Sequence, residues 1–128
     1  MKTTETYGLT HAALRVSDIQ KTLNFYTGVF GMAVMYHTED FLQLTTPGCS
    51  DIMVFEKTDK SIEIKQGGII HLGFRLRDSK DIDTIIDRIN QAGGKIKSHG
   101  EFVEGSPYVF FEDPDGYELE VWYELISQ

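Results

Sequence analysis

From His11 to Val16 apolar and polar positions alternate: Ala12, Leu14 and Val16 fall on one side, His11, Ala13 and Arg15 on the other. A period of two predicts a strand with one buried face. Directly afterwards Ile19, Leu23, Tyr26 and Phe30 recur at four-three-four spacing and Gly31 follows. That is one apolar stripe of a helix with a stop signal, and Ser17 or Asp18 can cap its first turn. Three strand-like runs come next, Ala33 to Tyr36, Phe41 to Thr45 and Ile52 to Glu56, with Pro47-Gly48 as turn chemistry between the last two.

The same plan then repeats. His11-Ala-Ala-Leu-Arg-Val-Ser-Asp18 returns as His71-Leu-Gly-Phe-Arg-Leu-Arg-Asp78, at a constant offset of 60 (71 minus 11). Ile82, Ile85, Ile86 and Ile89 predict the second helix, capped by Asp78 or Ser79 and stopped by Gly93-Gly94. Lys95 to Ser98, Tyr108 to Phe111 and Glu118 to Tyr123 predict its three strands, with Asp113-Pro114-Asp115-Gly116 as the turn before the last. Each half is a βαβββ module, about 8–58 and about 68–125. Neither buries enough apolar surface alone, so residues 1–128 are expected to form one α+β domain, two curved sheets around a cleft.

Alternation also assigns the faces. With Leu14, Val16, Phe74 and Leu76 turned to the helices, His11 and His71 look the other way, towards the cleft, together with the small residues Ala13 and Gly73. On the last strand Glu118, Glu120 and Trp122 share one face. A single strand histidine is ordinarily a hydrogen-bonded or solvated group. A pair related by an internal repeat, with a carboxylate on the final strand, points instead to a metal site. Arg15 and Arg75 fit either an ion pair with an aspartate or a place in solvent. His37 and His99 have no partner pattern, Trp122 reads as packing and Glu118 as a rim carboxylate.

Composition narrows the function. The formal net charge is -8 and the 12 basic residues are scattered, which argues against nucleic acid. No apolar run approaches the roughly 18 residues of a membrane helix and no signal-peptide pattern appears, so a cytoplasmic protein is expected. Cys49 is the only cysteine and excludes an internal disulfide. The acidic balance favours solubility and would suit a cationic ligand.

Three stretches then carry a resemblance: His11-x-x-Leu14-x-Val16-x-Asp18-Ile19 running into Phe25-Tyr26 and Phe30-Gly31; Gly68-Ile-Ile-His71-Leu-Gly-Phe74; and Glu112-Asp-Pro-Asp-Gly-Tyr-Glu-Leu-Glu120. From about Thr10 to Tyr123 the chain resembles the vicinal oxygen chelate (VOC) superfamily of glyoxalases, ring-cleaving dioxygenases and bleomycin-resistance proteins. The resemblance implies a divalent metal held by His11, His71 and Glu120, with the fourth position falling on Met53 or Val54, neither a hard ligand. Glu56 would reach the site only with a register shift of two or three residues. Two imidazoles and one carboxylate suit Fe(II) or Mn(II) first, and also Zn(II) or Ni(II).

It further implies a homodimer and a small oxygenated substrate chelated by the metal, with extradiol-dioxygenase-like chemistry as the leading reading. Against that reading, Phe110 stands where the dioxygenase signature has a tyrosine, and His99 is misplaced for its histidine. A glyoxalase I-like lyase (lactoylglutathione lyase) is the alternative, weakened by the missing base at Met53 or Val54. A fosfomycin-type transferase would have a threonine at Ala13. A metal-free bleomycin-resistance-like binding protein is the non-enzymatic alternative.

Overall fold

A computed structural model describes residues 3–59 and 63–125. The first module runs β1 (His11–Val16), α1 (Ile19–Phe30), β2 (Ala33–His37), β3 (Phe41–Thr45) and β4 (Ile52–Lys57). The second runs β5 (Leu72–Arg75), a 3₁₀ turn (Ser79–Asp81), α2 (Ile82–Gln91), β6 (Lys95–Glu101), β7 (Pro107–Glu112) and β8 (Glu118–Trp122). His71 therefore lies one residue before its strand. Each module folds into a four-stranded mixed sheet, ordered β1-β4-β3-β2 and β5-β8-β7-β6, with only the β1/β4 and β5/β8 pairs parallel. This is the expected α+β arrangement of two repeated units. No helix among the described residues is long and apolar enough to cross a membrane.

Helix α1 starts and stops where local chemistry requires, whereas the expected cap Asp78 serves the 3₁₀ turn through the Lys80 amide and α2 follows Asp81 without a side-chain cap. Asp18 accepts a hydrogen bond from the Lys21 amide at 3.0 Å, and Gly31 takes the left-handed conformation (φ 64°) that ends α1. The buried face of α1 is wider than the predicted stripe, because Phe25 and Val29 are buried along with Ile19 and Tyr26. The cause is a second neighbour. One hydrophobic cluster joins Phe25, Tyr26 and Val29 of α1 to Phe55 of its own module and to Ile89, Val109 and Phe111 of the other. The Phe30 and Phe74 rings stack across the modules with centroids 3.9 Å apart.

The Asp113–Gly116 turn adds polar bonds between the modules. Tyr26 donates its hydroxyl to Asp113 Oδ2 at 2.7 Å, in a buried position. Asp113 Oδ1 accepts from the amides of Asp115 and Tyr117. Tyr117 in turn donates to the Arg15 carbonyl at 2.7 Å, and the Ser17 amide donates to Asp115 Oδ1 at 3.1 Å. A single turn of the second module thus holds the end of β1 and the middle of α1.

Two outcomes are expected. Tyr26→Phe leaves a buried carboxylate one donor short and should lower stability by about 1–3 kcal/mol in chemical denaturation; an unchanged midpoint would remove this bond from the account. Burial pushes the Asp113 carboxyl above its usual range, against the opposing pull of the Tyr26 hydroxyl and two amides. The folded chain then holds a proton there more tightly than the unfolded chain, so the group's contribution to stability falls as pH rises from the ordinary carboxylate range through the raised value. The stability gap between wild type and Asp113→Asn should shrink over that interval, and a pH-independent gap would contradict it.

Candidate metal centre on the second sheet

Both sheets turn one face to the helices and leave the other open. In β1, Leu14 and Val16 are buried and His11, Ala13 and Arg15 exposed, as the alternation predicted. In the second sheet Leu119, Val121, Val109 and Phe111 face the core, which puts Glu120, Trp122, Tyr108 and Phe110 on the open side. Parallel pairing of β5 with β8 sets Gly73 opposite Glu120. His71 sits two residues before Gly73, on the same face.

The consequence is a close pair. His71 Nε2 lies 3.4 Å from Glu120 Oε1. That is longer than the roughly 2.7–2.9 Å of a good charged hydrogen bond. It matches the distance between two ligands that share one cation at bonds of roughly 2.1 Å. Glu120 is 9% exposed, and burial raises its carboxyl above the usual range, with His71 pulling it partly back. His71 Nδ1 is buried and has no hydrogen-bond partner among the described residues. A metal-ligating imidazole ordinarily donates its other N–H to an acceptor, and none of the described residues supplies one here. The donor set and its spacing fit a divalent cation.

His11 is not part of this cluster. It lies on the open face of the first sheet, and no three His, Cys, Asp or Glu side chains of one chain gather into a metal-holding group among the described residues. A cleft of about 720 Å³ between β1 and β5 takes in His11, Ala13, Met53, Gln66, Leu72 and Gly73, but its lining includes neither His71 nor Glu120. Register also fixes the counterpart of Glu120 in the first module. Ala13 pairs with Val54 as Gly73 pairs with Glu120, so Val54 and not Met53 is the counterpart of Glu120. Glu56 lies one pleat further on, paired with Arg15, and is exposed. His37, His99 and Cys49 are also exposed.

The superfamily profile described as "Glyoxalase/Bleomycin resistance protein/Dioxygenase superfamily" matches residues 8–121. The chain belongs to this superfamily. A probable lactoylglutathione lyase of Synechocystis sp. is 32% identical over 126 aligned positions, covering 88% of this chain and 92% of that protein. The glutathione transferase FosA of Serratia marcescens is 28% identical, covering 88% and 78%. Catechol-2,3-dioxygenase of Bacillus subtilis is 25% identical over 88% of this chain, which spans 40% of that protein's length.

Solved structures share the fold. The fosfomycin resistance protein FosX of Mesorhizobium loti superposes with a TM-score of 0.75 at 19% identity, covering 95% of this chain and 96% of that one. A mutant FosX of Listeria monocytogenes, solved with Mn(II) and 1S,2S-dihydroxypropylphosphonic acid, gives 0.72 at 24% identity, covering 91% and 90%. Membership of this VOC superfamily does not by itself choose a reaction.

Alternation along β7 and β8 holds a feature that pattern reading assigned only to packing. Trp122 lies over Gly73: a Cβ at that glycine would come 2.5 Å from the indole Cζ3. Gly73→Ala should therefore displace the indole. As Trp122 is the only tryptophan, its emission should shift while the far-ultraviolet circular dichroism stays the same. Unchanged emission would show that the ring is not seated there.

Proposed function

We propose that the chain is a divalent-metal enzyme of the superfamily, with modules 8–58 and 68–125 forming one domain in a cytoplasmic homodimer. His71 and Glu120 hold the cation, and His11 comes from a second copy. The observation that carries this reading is the 3.4 Å approach of His71 Nε2 to a desolvated Glu120 carboxylate on an open sheet face. His11 occupies the matching place on the other sheet's open face, so a dimer that sets one copy's first sheet against the other's second sheet supplies the third ligand.

Two imidazoles and a carboxylate suit Fe(II) or Mn(II), and Zn(II) or Ni(II) are compatible. Such a cation, when bound, supplies Lewis acidity to a small substrate that presents two neighbouring oxygens. Three protein ligands leave room for that substrate and for dioxygen, which favours extradiol-dioxygenase-like chemistry. The lactoylglutathione lyase reading is weaker, because Val54 cannot move a proton between adjacent carbons. Transfer chemistry of the FosA kind ranks lower, because Ala13 stands where such an enzyme has a threonine. A metal-free drug-binding role predicts an empty His71–Glu120 pair.

Metal analysis and subunit mixing test the proposal. His71→Ala should lower metal affinity more than about 100-fold, beyond the 10–100-fold of a lost outer partner, while the protein stays folded. Retained metal would end the ligand assignment. His11→Ala should do the same alone, and equal mixing of the two variants should restore about a quarter of the sites, since half the dimers then contain one intact site of two. No restoration after verified exchange would place the third ligand elsewhere.

A further inference from the structure

The open face of the second sheet carries a row of rings beside the candidate metal pair. His71 meets Phe110 edge-on with centroids 5.2 Å apart, Phe110 lies 5.4 Å from Tyr108, and Tyr108 stacks on Phe102 at 4.2 Å and 20°. Trp122 is the cross-strand partner of Tyr108 on the same face. Two glycines seat these rings low. The Trp122 indole fills the space of a Cβ at Gly73, and the Tyr108 hydroxyl lies 3.2 Å from where a Cβ would stand at Gly100. Tyr108, Phe110 and Trp122 remain half-buried, so they form a shelf with apolar surface still in reach of a ligand.

We propose that this shelf binds a flat, uncharged aromatic ring, held against Tyr108, Phe110 and Trp122 at the side of the His71–Glu120 pair. The reading rests on the proposed metal site only for the fate of the ring's oxygens. Charge favours neither sign of ligand head. Lys97 is engaged by both Glu112 (3.6 Å) and Glu118 (3.5 Å), and Arg75 donates to the Glu124 carbonyl. Lys95, the cross-strand partner of Glu112, and Arg75, beside Trp122, join Lys97 on this face against Glu112, Glu118 and Glu120, so neither an anionic head nor an organic cation meets an excess of opposite charge. A neutral ring gains by offset or edge-on contact with the exposed aromatic edges.

The single tryptophan reports binding directly. Metal-free and Mn(II)-loaded protein are titrated with 4-methylphenol, which has one oxygen and cannot chelate, and with catechol, propylphosphonate and tetraethylammonium, following Trp122 emission and heat. Both aromatic probes should bind saturably to the metal-free protein, Tyr108→Leu and Phe110→Leu should each weaken them roughly 3- to 10-fold, and Tyr108→Leu should leave Mn(II) affinity unchanged. Catechol alone should tighten when Mn(II) is present. Ring binding without any Mn(II) binding would keep the shelf and remove the metal reading. Mn(II) binding with no ring binding, or preference for propylphosphonate or tetraethylammonium, would overturn the shelf. Trp122 emission that changes on protein dilution and ignores every probe would also overturn it, and assign this face to contact between copies.

Discussion

The pairing register between β5 and β8 is the constraint from which the rest of the site follows. Setting Gly73 opposite Glu120 puts a carboxylate beside the open-face position that His71 reaches from the strand's entrance. A slip of one residue would turn Glu120 into the core and Leu119 out to solvent, at a cost in buried apolar area and in an unpaired buried charge. Burial of Leu119 and Val121 therefore fixes the carboxylate's direction as firmly as any contact the carboxylate makes itself.

The same register in the first module gives a different outcome. Ala13 faces Val54, so the duplicated frame presents a histidine with an apolar neighbour on one sheet and a histidine with a carboxylate on the other. In the proposed site the two halves of the duplicated frame therefore contribute unequally. Within a chain the modules meet through α1, α2 and the Asp113–Gly116 turn, with both histidine-bearing faces left open. That arrangement makes sense of a site completed by a second copy. The Asp-Pro-Asp-Gly stretch, which read as a family signature, has a physical task here: its buried carboxylate ties the last strand of one module to the first helix of the other.

Much of the fold was legible because β1 and α1 carried two independent signals, a period and a punctuation mark, and the second module repeated them. The strand beginning at His11 and the helix ending at Gly31 needed nothing from the rest of the chain. The breadth of the α1 face was not legible, since Phe25 and Val29 are buried by a module that lies far away in sequence. For the site, alternation placed His11, His71 and Glu120 on open faces, but which open faces meet is a property of assembly and leaves no local pattern. The choice between Met53 and Val54 waited on strand register. The aromatic shelf was hidden for a similar reason: Tyr108, Phe110 and Trp122 sit on two strands, and the glycines that seat them, Gly73 and Gly100, sit on two others.

Anomalous diffraction from crystals grown with Mn(II) would locate the cation. One peak per chain is expected, bonded by His71 Nε2 and a Glu120 oxygen, with an imidazole from the His11 position of a second copy completing the protein ligands. A peak elsewhere, or none at this pair while Mn(II) is bound in solution, would contradict this ligand set.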